Sequence, residues 1–114
     1  MKFSIAHTNF NVTDLEKSVA FYKEALGLKE IRRKEASDGS FILVFMGDET
    51  TEHQIELTWL RDRKEPYDLS DNEIHLALVV DDFNAAYEHH KKDVFSMYDP
   101  IYMQETDAAS KKSL

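Results

Sequence analysis

The chain has 114 residues, 42% of them apolar, with seven Phe and five Tyr, which is the composition of a globular protein with room for one core but not two. A net charge of −8 repels phosphate backbones and anionic lipid, so nucleic-acid and membrane partners are excluded from the expectation. The absence of cysteine excludes disulfides, thiolate zinc sites and a cysteine nucleophile; with no apolar run near the ~20 residues that span a bilayer and no signal-like start in Met1-Lys2-Phe3-Ser4, the expected compartment is the cytoplasm.

Residues 3–12 alternate with period two and predict a half-buried strand, Ala6, Thr8, Phe10 and Val12 on one face, Ile5, His7, Asn9 and Asn11 on the other. A helix follows. Thr13 and Glu16 read as a capping box, Leu15, Val19, Tyr22 and Leu26 recur at helical spacing, and Gly27 stands where a C-cap glycine belongs. The segments 28–35 and 40–46 read as strands joined by a turn at Ser37-Asp38-Gly39, and 54–60 as a further strand with Gln54, Glu56 and Thr58 on one face. The charged stretch from Arg61 to Asn72, with Pro66 and no periodicity, reads as a linker.

The pattern then restarts. Residues 73–80 predict a strand, and Asp81-Asp82 opens a helix with Phe83, Ala86, Tyr87 and His90 on one stripe. One shift lays Ile5-Ala6-His7 on Glu73-Ile74-His75 and Asp14-Leu15 on Asp82-Phe83, so the chain is an internal duplication of a strand-helix-strand-strand-strand unit. The expectation is an α+β fold of tandem βαβββ modules in one domain over 1–106, module one at about 3–61 and module two at about 73–106, the second incomplete. Residues 93–106 read as one or two strands around Pro100, and 107–114 as a disordered tail.

His7 and His75 occupy equivalent mid-strand positions, each on the face turned away from the helices, and Glu56 shares the face of His7. Two imidazoles and a carboxylate converging from different strands suit a divalent cation with open positions. The other reading is structural: hydrogen-bonded strand histidines, and Glu56 on the solvent side of an edge strand. Pattern alone leaves both open. His53, His89 and His90 read as solvated side chains.

The run AHTNFNVTDLEKSVAFYKEALGLKEIRR resembles the first module of the glyoxalase I family of the vicinal oxygen chelate superfamily, with its His-Thr strand, Val-x-Asp-Leu-x-x-Ser helix entry, Phe-Tyr and Leu-Gly. IELTW resembles the family's metal-ligand strand and IHLALVVDD its second histidine strand, so the resemblance runs over residues 3–92. It implies a divalent ion, Ni²⁺, Co²⁺ or Zn²⁺, held by His7, Glu56 and His75, in a homodimer whose sites are shared between subunits. The family's fourth ligand is a Glu in the closing strand. The repeat offset applied to Glu56 carries that position past Leu114, and of the Asp-Pro-Asp-Gly segment that accompanies it only Asp99-Pro100-Ile101 is an echo, leaving Glu105 as a weak surrogate.

The activity implied is conversion of a hemithioacetal, formed from methylglyoxal and a thiol, to an S-2-hydroxyacyl thioester, with Glu56 as the proton-transferring carboxylate at the metal. Relatives that use glutathione carry Arg and Asn at the positions held here by Asn11 and Leu60, so these two substrate-binding positions imply a different thiol or a weaker hold on glutathione. The altered C-terminal end implies reduced activity. Two alternatives within the superfamily are a ligand-sequestering resistance-type protein and an extradiol dioxygenase.

Overall fold

A computed structural model describes residues 1–71 and 73–92. The strands expected in 93–106, the tail 107–114 and Glu105 lie outside these described residues. The chain divides into two compact units, Met1–Asp68 and a second beginning at Leu69. The boundary falls inside the stretch that the sequence marks as a linker.

The first unit runs β1 (His7–Val12), α1 (Leu15–Leu26), β2 (Lys29–Glu35), β3 (Phe41–Gly47) and β4 (Gln54–Leu60). Its sheet has the order β1-β4-β3-β2, with β1 parallel to β4 and the other two pairings antiparallel. This is the βαβββ unit expected from the sequence. β1 starts later than the period-two run predicts, because the pairing ends with β4: His7 stands opposite Gln54, whose amide donates the last rung to the Ala6 carbonyl. Ahead of that rung Phe3 and Ile5 are exposed.

The helix is capped by Asp14 rather than by Thr13. The Asp14 backbone is extended and its Oδ1 accepts from the Lys17 amide at 3.1 Å, while its carbonyl accepts from Ser18. Gly27 closes the helix at φ 67°, a left-handed conformation that glycine adopts without a Cβ penalty. Leu15, Val19 and Ala25 of α1 are buried, and the sheet contributes Val44, Met46, Ile55 and Leu57, of which Val44, Met46 and Leu57 have no exposed surface. These residues make one core between α1 and one face of the sheet.

β2 carries a bulge. Glu30 stands opposite Met46 and Arg32 opposite Phe45, so Ile31 is an extra residue. The slip puts Glu30 and Arg33 on the helix side together, where Arg33 bonds both Glu30 and Glu16 of α1. Burial of this pair is partial, and the Arg33 guanidinium holds the Glu30 carboxyl below its ordinary range.

In the second unit α2 (Phe83–Lys92) is present, with Asp82 Oδ1 accepting from the Ala85 amide at 3.0 Å in the manner of an N-cap. The strand predicted over 73–80 is not formed. A strand exists only through a hydrogen-bonded neighbour, and among the described residues none pairs with this segment, so Ile74 and Val79 stand exposed. No helix among the described residues is long and apolar enough to cross a membrane.

Candidate metal centre

The parallel register of β1 with β4 sets His7, Asn9 and Asn11 opposite Gln54, Glu56 and Thr58, and paired strand residues project to the same side. β1 alternates in burial, with His7, Asn9 and Asn11 the exposed set, so this polar face is the one turned away from α1. The antiparallel pairing of β3 with β4 adds Phe45 opposite Glu56 and Leu43 opposite Thr58.

His7 and Glu56 meet on this face. His7 Nε2 lies 3.0 Å from Glu56 Oε2, with the histidine side chain 42% exposed and the carboxylate 14%. The other carboxylate oxygen accepts from Thr58 Oγ1 at 2.9 Å, and Thr58 Oγ1 also contacts Asn9 Oδ1. A hydroxyl has one proton, so it serves one of these oxygens at a time. Turning both the Asn9 and the Asn11 amides over satisfies the row: Asn9 Nδ2 donates to Thr58, Asn11 Nδ2 donates to Asn9 Oδ1, and the hydroxyl proton goes to Glu56. The row then delivers a fixed donor to Glu56 Oε1 and leaves Oε2 directed at His7.

The donor set fits half of a divalent site. Bonds of about 2.1 Å to an octahedral ion hold neighbouring ligands about 3.0 Å apart, which is the separation between His7 Nε2 and Glu56 Oε2. One imidazole nitrogen and one carboxylate oxygen suit nickel, cobalt or zinc. Among the described residues of the first unit, no third His, Cys, Asp or Glu joins them. His75 belongs to the second unit and is exposed. Asn11 bonds Asn9, and Leu60 ends β4 opposite Phe41, on the same side as Glu56 and Thr58, so both expected substrate positions lie on the face of the pair.

Two residues of this face are not singled out by sequence reasoning. Phe45 is 3% exposed and lies on the face opposite α1. The His7 ring meets it edge-on at a centroid separation of 5.4 Å, and the Arg32 guanidinium lies over it at 3.9 Å. Their signal would have been the period-two alternation of 40–46 together with the bulge at Ile31, and the bulge has no mark in composition.

One expectation is corrected on the helix side. His53 is half-buried and its Nε2 bonds the Thr8 hydroxyl at 2.9 Å, so it is a structural histidine rather than a solvated one. The Thr8–Ile55 register brings the start of β4 against β1 and closes this bond. A hollow of about 350 Å³ on that side, lined by Thr13, Asp14, Leu15, Glu16, Ile42 and Trp59, contains none of the predicted site residues.

Residues 4–104 match the family model described as the glyoxalase/bleomycin resistance protein/dioxygenase superfamily. The lactoylglutathione lyase of Neisseria meningitidis serogroup B is 43% identical over 90 residues, covering 77% of this chain and 64% of that protein. The lactoylglutathione lyase of Salmonella typhimurium is 40% identical over 86 residues, covering 74% of this chain and 63% of that protein. The chain therefore spans just under two thirds of the length of these curated relatives. Among solved structures, the trypanothione-dependent glyoxalase I of Leishmania major superposes with a TM-score of 0.74 at 27% identity, over 92% of this chain and 74% of that one.

Proposed function

The chain belongs to the glyoxalase/bleomycin resistance protein/dioxygenase superfamily, and from that premise we propose that it is a glyoxalase I-type lyase acting in the cytoplasm on the hemithioacetal of methylglyoxal and a thiol. The similarity to lactoylglutathione lyases supports this reaction class. The observation that carries it is the His7–Glu56 pair at 3.0 Å on the face opposite α1. That pair is one half of a divalent site, for nickel, cobalt or zinc. His75 of a second copy adds a third donor across a homodimer, and Glu105 is the weak surrogate for the family's fourth ligand.

A divalent ion held by His7 and Glu56 would supply Lewis-acid polarisation of the bound substrate. The chain's own residues do the rest. Glu56 is mostly withdrawn from water and is oriented through Oε1 by Thr58, with Oε2 facing His7, and its carboxylate would take and return the substrate proton beside the ion. Phe45 and Leu43 give the face an apolar floor that excludes water beside the pair. Asn11 and Leu60 replace the charged and amide groups with which glutathione-using relatives hold the thiol. The product is an S-2-hydroxyacyl thioester.

Titration of the full chain with Co²⁺, read by calorimetry and by the visible spectrum, tests the site directly. Tight binding by the parent chain is expected, with loss of at least 10-fold in affinity for His7→Ala and Glu56→Gln. In a coupled methylglyoxal and thiol assay, Glu56→Gln should lower kcat by ~10²–10⁴. Undiminished Co²⁺ affinity in both variants would sink the metal reading.

A further inference from the structure

The two adjacent arginines of β2 have opposite fates, and the bulge is the reason. Arg33 faces α1 and is bonded to both Glu30 and Glu16. Arg32 projects to the other face, opposite Phe45, and its guanidinium makes no ion pair among the described residues. Without the slip at Ile31, Glu30 and Arg32 would share a side and neutralise each other. With it, Glu30 stays on the helix side and Arg32 is delivered without its carboxylate. Carboxylates outnumber Lys and Arg by 22 to 14 in this chain, so a guanidinium with no ion pair among the described residues is not forced by a shortage of partners.

Arg32 is also fixed in place. Its guanidinium carbon lies 3.9 Å from the centre of the Phe45 ring, and the same ring meets His7 at 5.4 Å. Phe45, 3% exposed, is thus the shared platform between the cation and the His7–Glu56 pair. Stacking on a ring leaves the planar edge of the guanidinium free, and that edge matches a carboxylate with two parallel hydrogen bonds. Lys34, the next residue of β2 on this side and opposite Leu43, adds a second positive charge.

We propose that Arg32, held on Phe45, receives a carboxylate of the ligand whose oxygens face His7 and Glu56, and so selects anionic ligands in a chain that lacks an arginine at position 11. This rests on the reading of that pair as the ligand-binding centre. The carboxylate comes from one of two sources, the thiol carrier or the small oxygenated fragment.

Binding to the metal-loaded full chain separates them, with glutathione, glutathione dimethyl ester and 2-oxoglutarate as probes in parallel calorimetric titrations. Arg32→Gln should weaken at least one acid about 10- to 100-fold, the size of one charge-assisted bidentate bond, and leave the ester unchanged. A loss confined to glutathione assigns the carboxylate to the carrier, and a loss confined to 2-oxoglutarate assigns it to the oxygenated fragment. Arg32→Lys, which keeps the charge but not the planar fork, should recover part of the loss. Equal affinities in parent and Arg32→Gln for both acids, or an equal loss for the ester, overturns the assignment. Co²⁺ affinity is read on the same samples: Arg32→Gln should retain it, whereas a parent chain that binds the acids through Arg32 but takes no Co²⁺ would defeat the metal reading and leave Arg32 standing.

Discussion

Thr58 is the residue on which the geometry of Glu56 turns. Its hydroxyl lies 2.9 Å from Glu56 Oε1 and also touches Asn9, so one methyl-sized change removes the bond that orients the carboxylate. Thr58→Val keeps the volume and the β-branched shape that a strand favours, so the fold should survive with a cost of about 1 kcal/mol for the lost hydrogen bond. The effect on the site should be larger in proportion. Groups that orient a metal ligand typically contribute ~10- to 100-fold in affinity, and calorimetric titration with Co²⁺ should show a loss in that range for Thr58→Val. Thr58→Ser, which keeps the donor, should restore most of it. A Thr58→Val chain that binds Co²⁺ as the parent does would show that Glu56 is positioned by its strand alone.

At the scale of the element, the edge strand β2 illustrates what sequence patterns carry and what they do not. β1, α1 and β4 were legible because each has a local periodicity, and the His7–Glu56 pair was legible because both residues lie on the polar side of a period-two run. The bulge was not, since a one-residue slip in pairing leaves no trace in composition, and with it went the sorting of Arg32 from Arg33. The strand over 73–80 failed for a related reason: its alternation is present, but the neighbour that would make it a strand is not encoded locally. On the helix side of the bulge, Arg33 holds the Glu30 carboxyl below its ordinary value of 4.5. A carboxylate with a depressed folded-state pKa stabilises the fold above its unfolded value and loses that contribution as pH falls through the folded one. Glu30→Gln should therefore cost about 0.5 kcal/mol at pH 7, the scale of a half-exposed ion pair. The gap should begin to narrow near pH 4.5 and should close below the depressed value. Urea midpoints of both chains across that range measure it, and a gap that persists unchanged at the acid end would place the effect in packing instead.

At the scale of the whole molecule, the first unit supplies two donors, and an octahedral ion bound by protein on more than one side requires others. The proposed homodimer provides them from a second copy of the chain. Exposed Ile74 and Val79 are consistent with a segment that a second chain covers, because apolar strand sequences left unpaired in water are unfavourable. If a subunit boundary and a metal site are the same place, association and metal binding are linked, and each strengthens the other by mass action. Sedimentation should then show a dimer constant that tightens when Co²⁺ is added and weakens in EDTA, and Glu56→Gln should remove the dependence on metal. Val79→Lys should shift the chain toward monomer at equal concentration while leaving the His7–Glu56 pair, which lies wholly in the first unit, unaltered. A chain that remains monomeric at every concentration while taking one Co²⁺ per chain would mean that its site is completed without a partner, and the shared-site assembly would have to be abandoned while the His7–Glu56 half-site stood.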